Sequence, residues 1–412
     1  MDRNRMTEPI PMRIMIKDKQ YCHCPFVTEL RLWGNDFLVD EDIKPLRSMT
    51  YLTKLDLNSK HITDLSPLSG LMKLTELKSM RSKISDISPL SGLTNLVKLD
   101  LSSNQISDLS PLAGLTKLTE LRLGQNRIKD LSPLSKLINL TDLDLYGGYS
   151  IWVEKEYGGR PERKFLASYK GQISDLTPLS DLISVTQLTL MDNQIKNLSP
   201  LSGLKRLNYL NIMQNKICNL KPLSGLTEIK KLYLDFNEIS DLSPLSYLKN
   251  LTLLRLRANQ VTDLSPLSGL TNLPKLDLYS NQITNLSPLS GLMNLTELDL
   301  SSNQIKDLSP LSGLINLTSL NIENNQINDL SPLSGLTKLE YLYADNNPIR
   351  NFTHVSNVGY VRGRPERKKY ADAIVILSEA LKADAICAET AEEIQSAVRR
   401  LESFDEEHDE KP

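Results

Sequence analysis

The chain has 412 residues, a formal net charge of −2 at neutral pH and 5% aromatic residues. So even a balance gives no support to a general nucleic-acid or membrane-surface binder, and no run of about 20 apolar residues offers a transmembrane helix. Cys22, Cys24, Cys218 and Cys387 are few and scattered, which fits a reducing compartment and a cytoplasmic protein.

Residues 1–26 interleave charges with single apolar residues, as in MDRNRMTEPIPMRIMIKDKQ. They contain no secretory apolar core and read as an N-terminal cap. Within them Cys22-His23-Cys24 is the one ligand-like cluster, but zinc needs further ligands at a familiar spacing. We expect no metal and no cofactor. Nor is there a phosphate loop, a nucleophile elbow or a metalloprotease helix motif, so we expect no enzyme.

From 27 to 352 the chain cycles through variants of LTxLxLxxNQIxDLSPLSGL, anchored by Asn104, Asn126, Asn193, Asn215, Asn237, Asn259, Asn281, Asn303, Asn325 and Asn347, most of them 22 residues apart. Lys60 and Ser82 hold the Asn position in two early repeats, and Gly171 holds it after a 23-residue insertion. The tally is fourteen repeats, a period that belongs to leucine-rich solenoids.

Each letter has a physical task. In Leu121-Arg122-Leu123 the leucines alternate with a polar residue, the period-two pattern of a half-buried strand. Asn126 can satisfy backbone groups of its own turn and of the neighbouring coil. Ser132-Pro133 suits a helical start, with Ser as N-cap and Pro at the first position, and Gly in Ser91-Gly92-Leu93 punctuates the return. One coil cannot bury its leucines alone, so stacking must supply the core.

The stretch Leu96-Val-Lys-Leu-Asp-Leu-Ser-Ser-Asn-Gln-Ile-Ser-Asp-Leu-Ser-Pro-Leu-Ala-Gly-Leu resembles the bacterial internalin-type leucine-rich repeats, and is similar to the phosphatase-regulating leucine-rich-repeat subunit. The resemblance implies an α/β solenoid: a curved array with short parallel strands on its concave face and short helical turns on its convex face. It also implies a protein partner held on the concave face, and no catalytic residues.

A regular repeat carries most information where it deviates. The outward positions of the C-terminal repeats, Lys275, Asp277, Ser280, Glu297, Asp299, Ser301 and Ser302, read as polar filler. Repeats six to eleven instead present Met191, Tyr209, Met213, Lys231, Tyr233, Phe236, Arg255, Arg257 and Tyr279. Exposed aromatic, Met and Arg side chains together have the composition of an interface hot spot. The insertion, residues 146–168, carries Trp152 and Tyr157 on a stretch, 151–157, that alternates like a small hairpin arm, with Arg160 beyond it, and extra loops of this length are commonly functional.

The hexapeptide GRPERK occurs twice, at 159–164 and 363–368. Pro followed by Glu fits a helix start, and the second copy leads into a helical pattern, so residues 353–404 read as a C-terminal cap with helices and 405–412 as an acidic disordered end. Arg362-Gly363-Arg364-Pro365 also resembles the core of an AT-hook, a minor-groove reader. On that reading Arg160, Arg163, Arg362, Arg364 and Arg367 would contact nucleic acid.

The sequence therefore points to a protein–protein recognition scaffold. Its alternatives are a nucleic-acid-associated adaptor using the two GRPERK loops and a host-directed adhesin or effector.

Overall fold

The computed structural model describes residues 27–32, 38–157 and 160–363, together with strands β1 (Met12–Ile16) and β2 (Lys19–His23) near the N-terminus. The C-terminal helices expected from 364 onward, and Cys24, lie outside the described residues. Strands β1 and β2 pair antiparallel, in the segment expected to form a cap.

The chain divides into two compact units, 1–250 and 251–412. In the first, β3 (Glu29–Arg31), β4 (Lys54–Asp56), β5 (Glu76–Lys78), β6 (Lys98–Asp100), β7 (Glu120–Arg122) and β8 (Asp142–Asp144) follow one another in a parallel sheet. An antiparallel hairpin, β9 (Tyr149–Tyr157) with β10 (Arg160–Tyr169), interrupts the chain. The sheet then resumes with β11 (Gln187–Thr189), β12 (Tyr209–Asn211) and β13 (Lys231–Tyr233). In the second unit β14 (Leu253–Arg255), β15 (Lys275–Asp277), β16 (Glu297–Asp299), β17 (Ser319–Asn321), β18 (Tyr341–Tyr343) and β19 (Tyr360–Arg362) pair the same way.

Each parallel strand is three residues long, and from β3 to β18 its middle leucine points into the core. Leu121 and Leu123 are at most 1% exposed, as are Leu188, Leu190, Leu210, Ile212, Leu232 and Leu234. The conserved geometry of the coil comes from asparagine. Asn126 Nδ2 donates to Leu101 O at 3.0 Å and Leu123 O at 2.8 Å, while its Oδ1 accepts from Ile106 N at 2.9 Å. One amide side chain thus satisfies groups in two successive coils that stacking would otherwise bury unpaired.

Apart from the four-residue α-helix Asp40–Ile43, the helical turns among the described residues are 3₁₀ turns such as Ser132–Leu134. Here the expected N-cap needs correction. Ser132 is the first residue inside the turn, Leu131 holds the N-cap position, and the side chain that caps is Asp130, whose Oδ1 accepts from Ser132 N at 2.9 Å and from Ser132 Oγ at 2.6 Å. The carboxylate reaches two residues forward to the amide, an Asx-turn arrangement that the shorter Ser side chain cannot make from inside the turn.

A second correction concerns the first GRPERK copy. It is a strand, not a helix start: Arg163 lies opposite Glu154, Glu162 opposite Lys155 and Phe165 opposite Trp152. The Tyr157-Gly158-Gly159-Arg160 sequence between two alternating runs is a hairpin signal. Pro161 is tolerated because a two-stranded ribbon has edges on which its missing N–H is not needed.

A candidate partner-binding face

On the first unit the outward strand positions form ladders, each residue beside its counterpart one repeat away. From β3 to β8 one ladder reads Glu29, Lys54, Glu76, Lys98, Glu120, Asp142. Its charges are mostly ion-paired: Lys54 pairs with Glu29 at 2.9 Å, Lys98 with Glu120 at 2.5 Å, and Arg122 of the next ladder with Asp142 at 3.2 Å. The Lys54 hydrogen bond and charge hold the Glu29 carboxyl below its ordinary range, and Glu29 raises the Lys54 ammonium in turn.

The pattern changes at β11. The same ladder continues with Gln187, Tyr209 and Lys231, and the next with Thr189, Asn211 and Tyr233. Tyr209 and Tyr233 pack at 5.4 Å between ring centroids, tilted by 47°, an arrangement favourable for aromatic pairs. Burial, then the neighbouring Tyr233, pushes the Tyr209 hydroxyl above its usual pKa. Met191 and Met213 are half-buried beside them, and Lys231 is exposed.

Phe236 stands apart. It is 48% exposed, with φ at +55°. In most repeats the residue before the Asn position takes this left-handed conformation, and the others that do so are Arg81, Ser103, Gln125, Asp192, Gln214, Ala258, Ser280, Ser302, Asn324 and Asn346. For a bulky aromatic side chain such a backbone is an outlier.

The hairpin leaves this face from a root that permits no side chain. A Cβ on Gly147 would come 2.3 Å from Asn193 Oδ1, one on Gly171 2.1 Å from the same atom, and one on Gly148 1.4 Å from Asp192 Oδ2. Gly147 N donates to Met191 O and Gly171 N to Asp192 O, both at 2.9 Å. The base of the hairpin is therefore clamped against the repeat that carries Met191. Trp152 lies on β9, and Tyr157 is paired with Arg160 across the ribbon.

The remaining expected site residues belong to the second unit. Arg257 donates through Nε to the Asp277 carboxylate and sits 3.7 Å from Asp299 Oδ2, with its guanidinium 5.9 Å from the Tyr279 ring centroid. Arg255 Nε is 3.9 Å from Asp277 Oδ2. Burial, then Asp299, raises the Asp277 carboxyl. Tyr279 is 37% exposed. Arg362 is engaged by acids, at 3.0 Å from Asp345 Oδ2 and 3.5 Å from Glu323 Oε1. Arg364 and Arg367 lie outside the described residues.

In the second unit, sequence reasoning singled out Arg255, Arg257 and Tyr279 and passed over Lys275, Asp277, Ser280, Glu297, Asp299, Ser301 and Ser302 as polar filler. The outward face of that unit carries a groove of about 510 Å³ lined by Arg257, Asp277, Asp299, Glu323, Tyr343 and Arg362 among others. Tyr343 packs 5.7 Å from Tyr360, and Tyr341 6.3 Å from the same ring. The alternation Tyr341-Leu342-Tyr343 was a signal for it, since the leucine between them is the inward residue.

Among the described residues no group of three potential ligands could hold a metal ion, and no helix is long and apolar enough to cross a membrane. The leucine-rich-repeat family model, described as two copies of the repeat, matches residues 79–114, 116–151, 227–269, 271–313 and 315–357. No curated protein matches the chain. Among solved structures, an internalin (inlF) from Listeria monocytogenes is 35% identical, with 79% of this chain and 89% of that chain covered and a TM-score of 0.70. A leucine-rich-repeat protein of Leptospira interrogans is 22% identical over 85% of this chain and 95% of that one, with a TM-score of 0.66. The functional domain of InlJ, also from L. monocytogenes, is 23% identical over 80% and 70%, with a TM-score of 0.64; these last two speak to fold alone. On its leucine spine, its asparagine ladder and its identity to the first of these structures, the chain belongs to the internalin-like leucine-rich-repeat proteins.

Proposed function

We propose that the protein is a non-enzymatic recognition scaffold that captures a protein partner on the strand face of its first unit, at Met191, Tyr209, Met213, Lys231, Tyr233 and Phe236, with Trp152, Tyr157 and Arg160 of the hairpin as a second wall. Leucine-rich-repeat proteins generally mediate protein–protein interaction, which supports the class of activity.

The observation that carries the site is Phe236. A large aromatic side chain, half exposed on a left-handed backbone, contributes neither core packing nor local comfort. Strain of this kind, about 1 kcal/mol or more, persists at functional positions. Beside it the paired rings of Tyr209 and Tyr233 offer rigid area to a partner, and the ion-paired ladder of β3 to β8 does not continue through β11 to β13. The exposed thiol of Cys218 supports a reducing, cytoplasmic setting.

The test is capture from the native cell followed by mass spectrometry, with the intact protein beside a variant carrying Tyr209→Ser, Tyr233→Ser and Phe236→Ser. The variant should keep its melt and lose several kcal/mol of binding in sum, on the order of hot-spot truncations. Equal recovery of the same partner by the folded variant would remove this face from consideration.

A further inference from the structure

We infer that the outer edge of β9 docks a second copy of this chain, two β9 strands pairing antiparallel about Val153 so that two hairpins merge into one four-stranded sheet. The inference does not rest on the partner-binding face, since it uses only the backbone edge of the hairpin.

The backbone of the hairpin assigns the edge. Strands β9 and β10 form a two-stranded sheet of their own, apart from the parallel one. In an antiparallel pair, residues whose N–H and C=O point at the partner strand alternate with residues whose groups point away. Pro161 lies opposite Glu156 within the ladder and has no N–H to donate, so the groups of that pair point outward. The alternation then turns the N–H and C=O of Tyr157, Lys155, Val153 and Ile151 toward β10, and those of Glu156, Glu154, Trp152 and Ser150 outward. The two edges of the ribbon are unequal. On β10 the outer edge lacks a donor at Pro161 and is bent by the bulge between Phe165 and Ala167, both devices that protect an edge from pairing. The nine residues of β9, Tyr149–Tyr157, include no proline and no glycine. A long edge left open in this way is a template for another strand, and a hairpin by itself is marginal in water.

The sequence of that edge selects its occupant. Ladder bonds between two copies need outward residues of one strand opposite outward residues of the other. Full overlap of both strands meets this condition with Val153 opposite its own counterpart. It sets Trp152 opposite Glu154, Ile151 opposite Lys155, Ser150 opposite Glu156 and Tyr149 opposite Tyr157, so no like charges are directly opposed. Moving the centre one residue toward the tip sets Glu154 against Glu154, which is destabilising. Moving it one residue toward the root shortens the overlap. The charges of Glu154, Lys155 and Glu156 thus select the register of self-pairing instead of forbidding it. Because one edge serves both copies, the contact is isologous and closes as a dimer.

The experiment uses the full chain, with Cys22, Cys24, Cys218 and Cys387 changed to Ser and one cysteine placed at 153 or at 157. Val153→Cys should give a disulfide-linked dimer under mild oxidation, because an antiparallel pair without ladder bonds brings its Cα atoms to about 4.5 Å, inside disulfide range. Tyr157→Cys should not, since its counterpart lies opposite Tyr149, about 27 Å away along the strand. Without oxidant, sedimentation equilibrium of the natural chain should show monomer and dimer in exchange. Glu154→Pro removes one outward donor from each copy and none from the hairpin, as Pro161 does on β10, and should weaken dimerisation about tenfold or more. Excision of 146–168 should leave a monomer. A monomer at every concentration, equal cross-linking at 153 and 157, unchanged dimerisation of the Glu154→Pro variant, or a dimer that survives the excision would each overturn the proposal.

Discussion

At Phe236 stability and recognition are set against each other. Asn tolerates the left-handed region far better than an aromatic residue, and Asn324 and Asn346 hold the equivalent position at φ +55° and +57°. Phe236→Asn should therefore raise unfolding stability by about 0.5–1 kcal/mol, the size of effects from matching a residue to its backbone, while weakening partner capture. A urea titration measures the first; a loss of stability would make Phe236 a structural residue instead. Asn215 shows the opposite case. Its amide bonds Leu190 O at 3.0 Å, Ile212 O at 3.1 Å and Ile195 N at 3.0 Å. Asn215→Ala should cost about 3 kcal/mol, because buried backbone groups are left unpaired. The asparagine was legible in the sequence because it recurs with the period. The strained position before it was not, since the Arg, Ser, Gln, Asp, Ala and Asn residues that share it carry no common sequence mark of a left-handed backbone.

Among the elements, the 3₁₀ turns carry an acid sensitivity that the repeat multiplies. The carboxyls of Asp130, Asp175, Asp241, Asp263, Asp307 and Asp329 are held below their ordinary range, first by the Ser or Thr hydroxyl and then by the backbone amide two residues on; at Asp86 and Asp108 the amide comes first. A folded-state value below the unfolded one stabilises at pH above the unfolded value and is lost as pH falls through the folded one. Stability should decline below roughly pH 4, where free aspartate titrates. Asn197, Asn219 and Asn285 make the same amide contact at 2.9, 2.9 and 3.0 Å without a titrating group. Changing Asp241, Asp263, Asp307 and Asp329 to Asn should flatten the acid limb of melting temperature against pH, with little change at neutrality. An unaltered acid limb would place the sensitivity elsewhere. Glu323 works in the other direction: burial and then Asp345 raise it, so it opposes folding at neutral pH and ceases to as it protonates. The strand–turn alternation was readable from leucine spacing and Ser-Pro. The aspartate cap was not, because an acidic residue on a surface turn looks like solubilising charge. The hairpin was half readable: its first arm alternates plainly, while Pro161 and Glu162 imitate a helix start.

For the molecule as a stack of repeats, the hairpin is an outgrowth on a sheet that already closes without it. Thr141 Oγ1 donates to Thr119 O at a sequence separation of 22, and Thr186 Oγ1 repeats the bond to Thr141 O at a separation of 45, both at 3.1 Å. Strands β8 and β11 pair in the same register as any other neighbours, and Asn193 Nδ2 still reaches Leu145 O at 3.0 Å. Solenoid stability is nearly a sum of repeat and nearest-neighbour terms. Excising residues 146–168 joins Leu145 to Tyr169-Lys170-Gly171, restores the period and keeps Gly171 N on Asp192 O. It removes no residue of the leucine spine. The melting temperature should stay within about 1 °C, a shift below about 1 kcal/mol for a chain of this size. Partner affinity should fall about tenfold or more, as expected if Trp152 belongs to a hot spot. Calorimetry and a partner titration of the excised and intact proteins decide it. Collapse of the melt would make the hairpin a brace, with Gly147 and Gly148 as its anchor on Asn193 and Asp192, whereas an intact melt with unchanged affinity would confine recognition to the strand face around Tyr209, Tyr233 and Phe236.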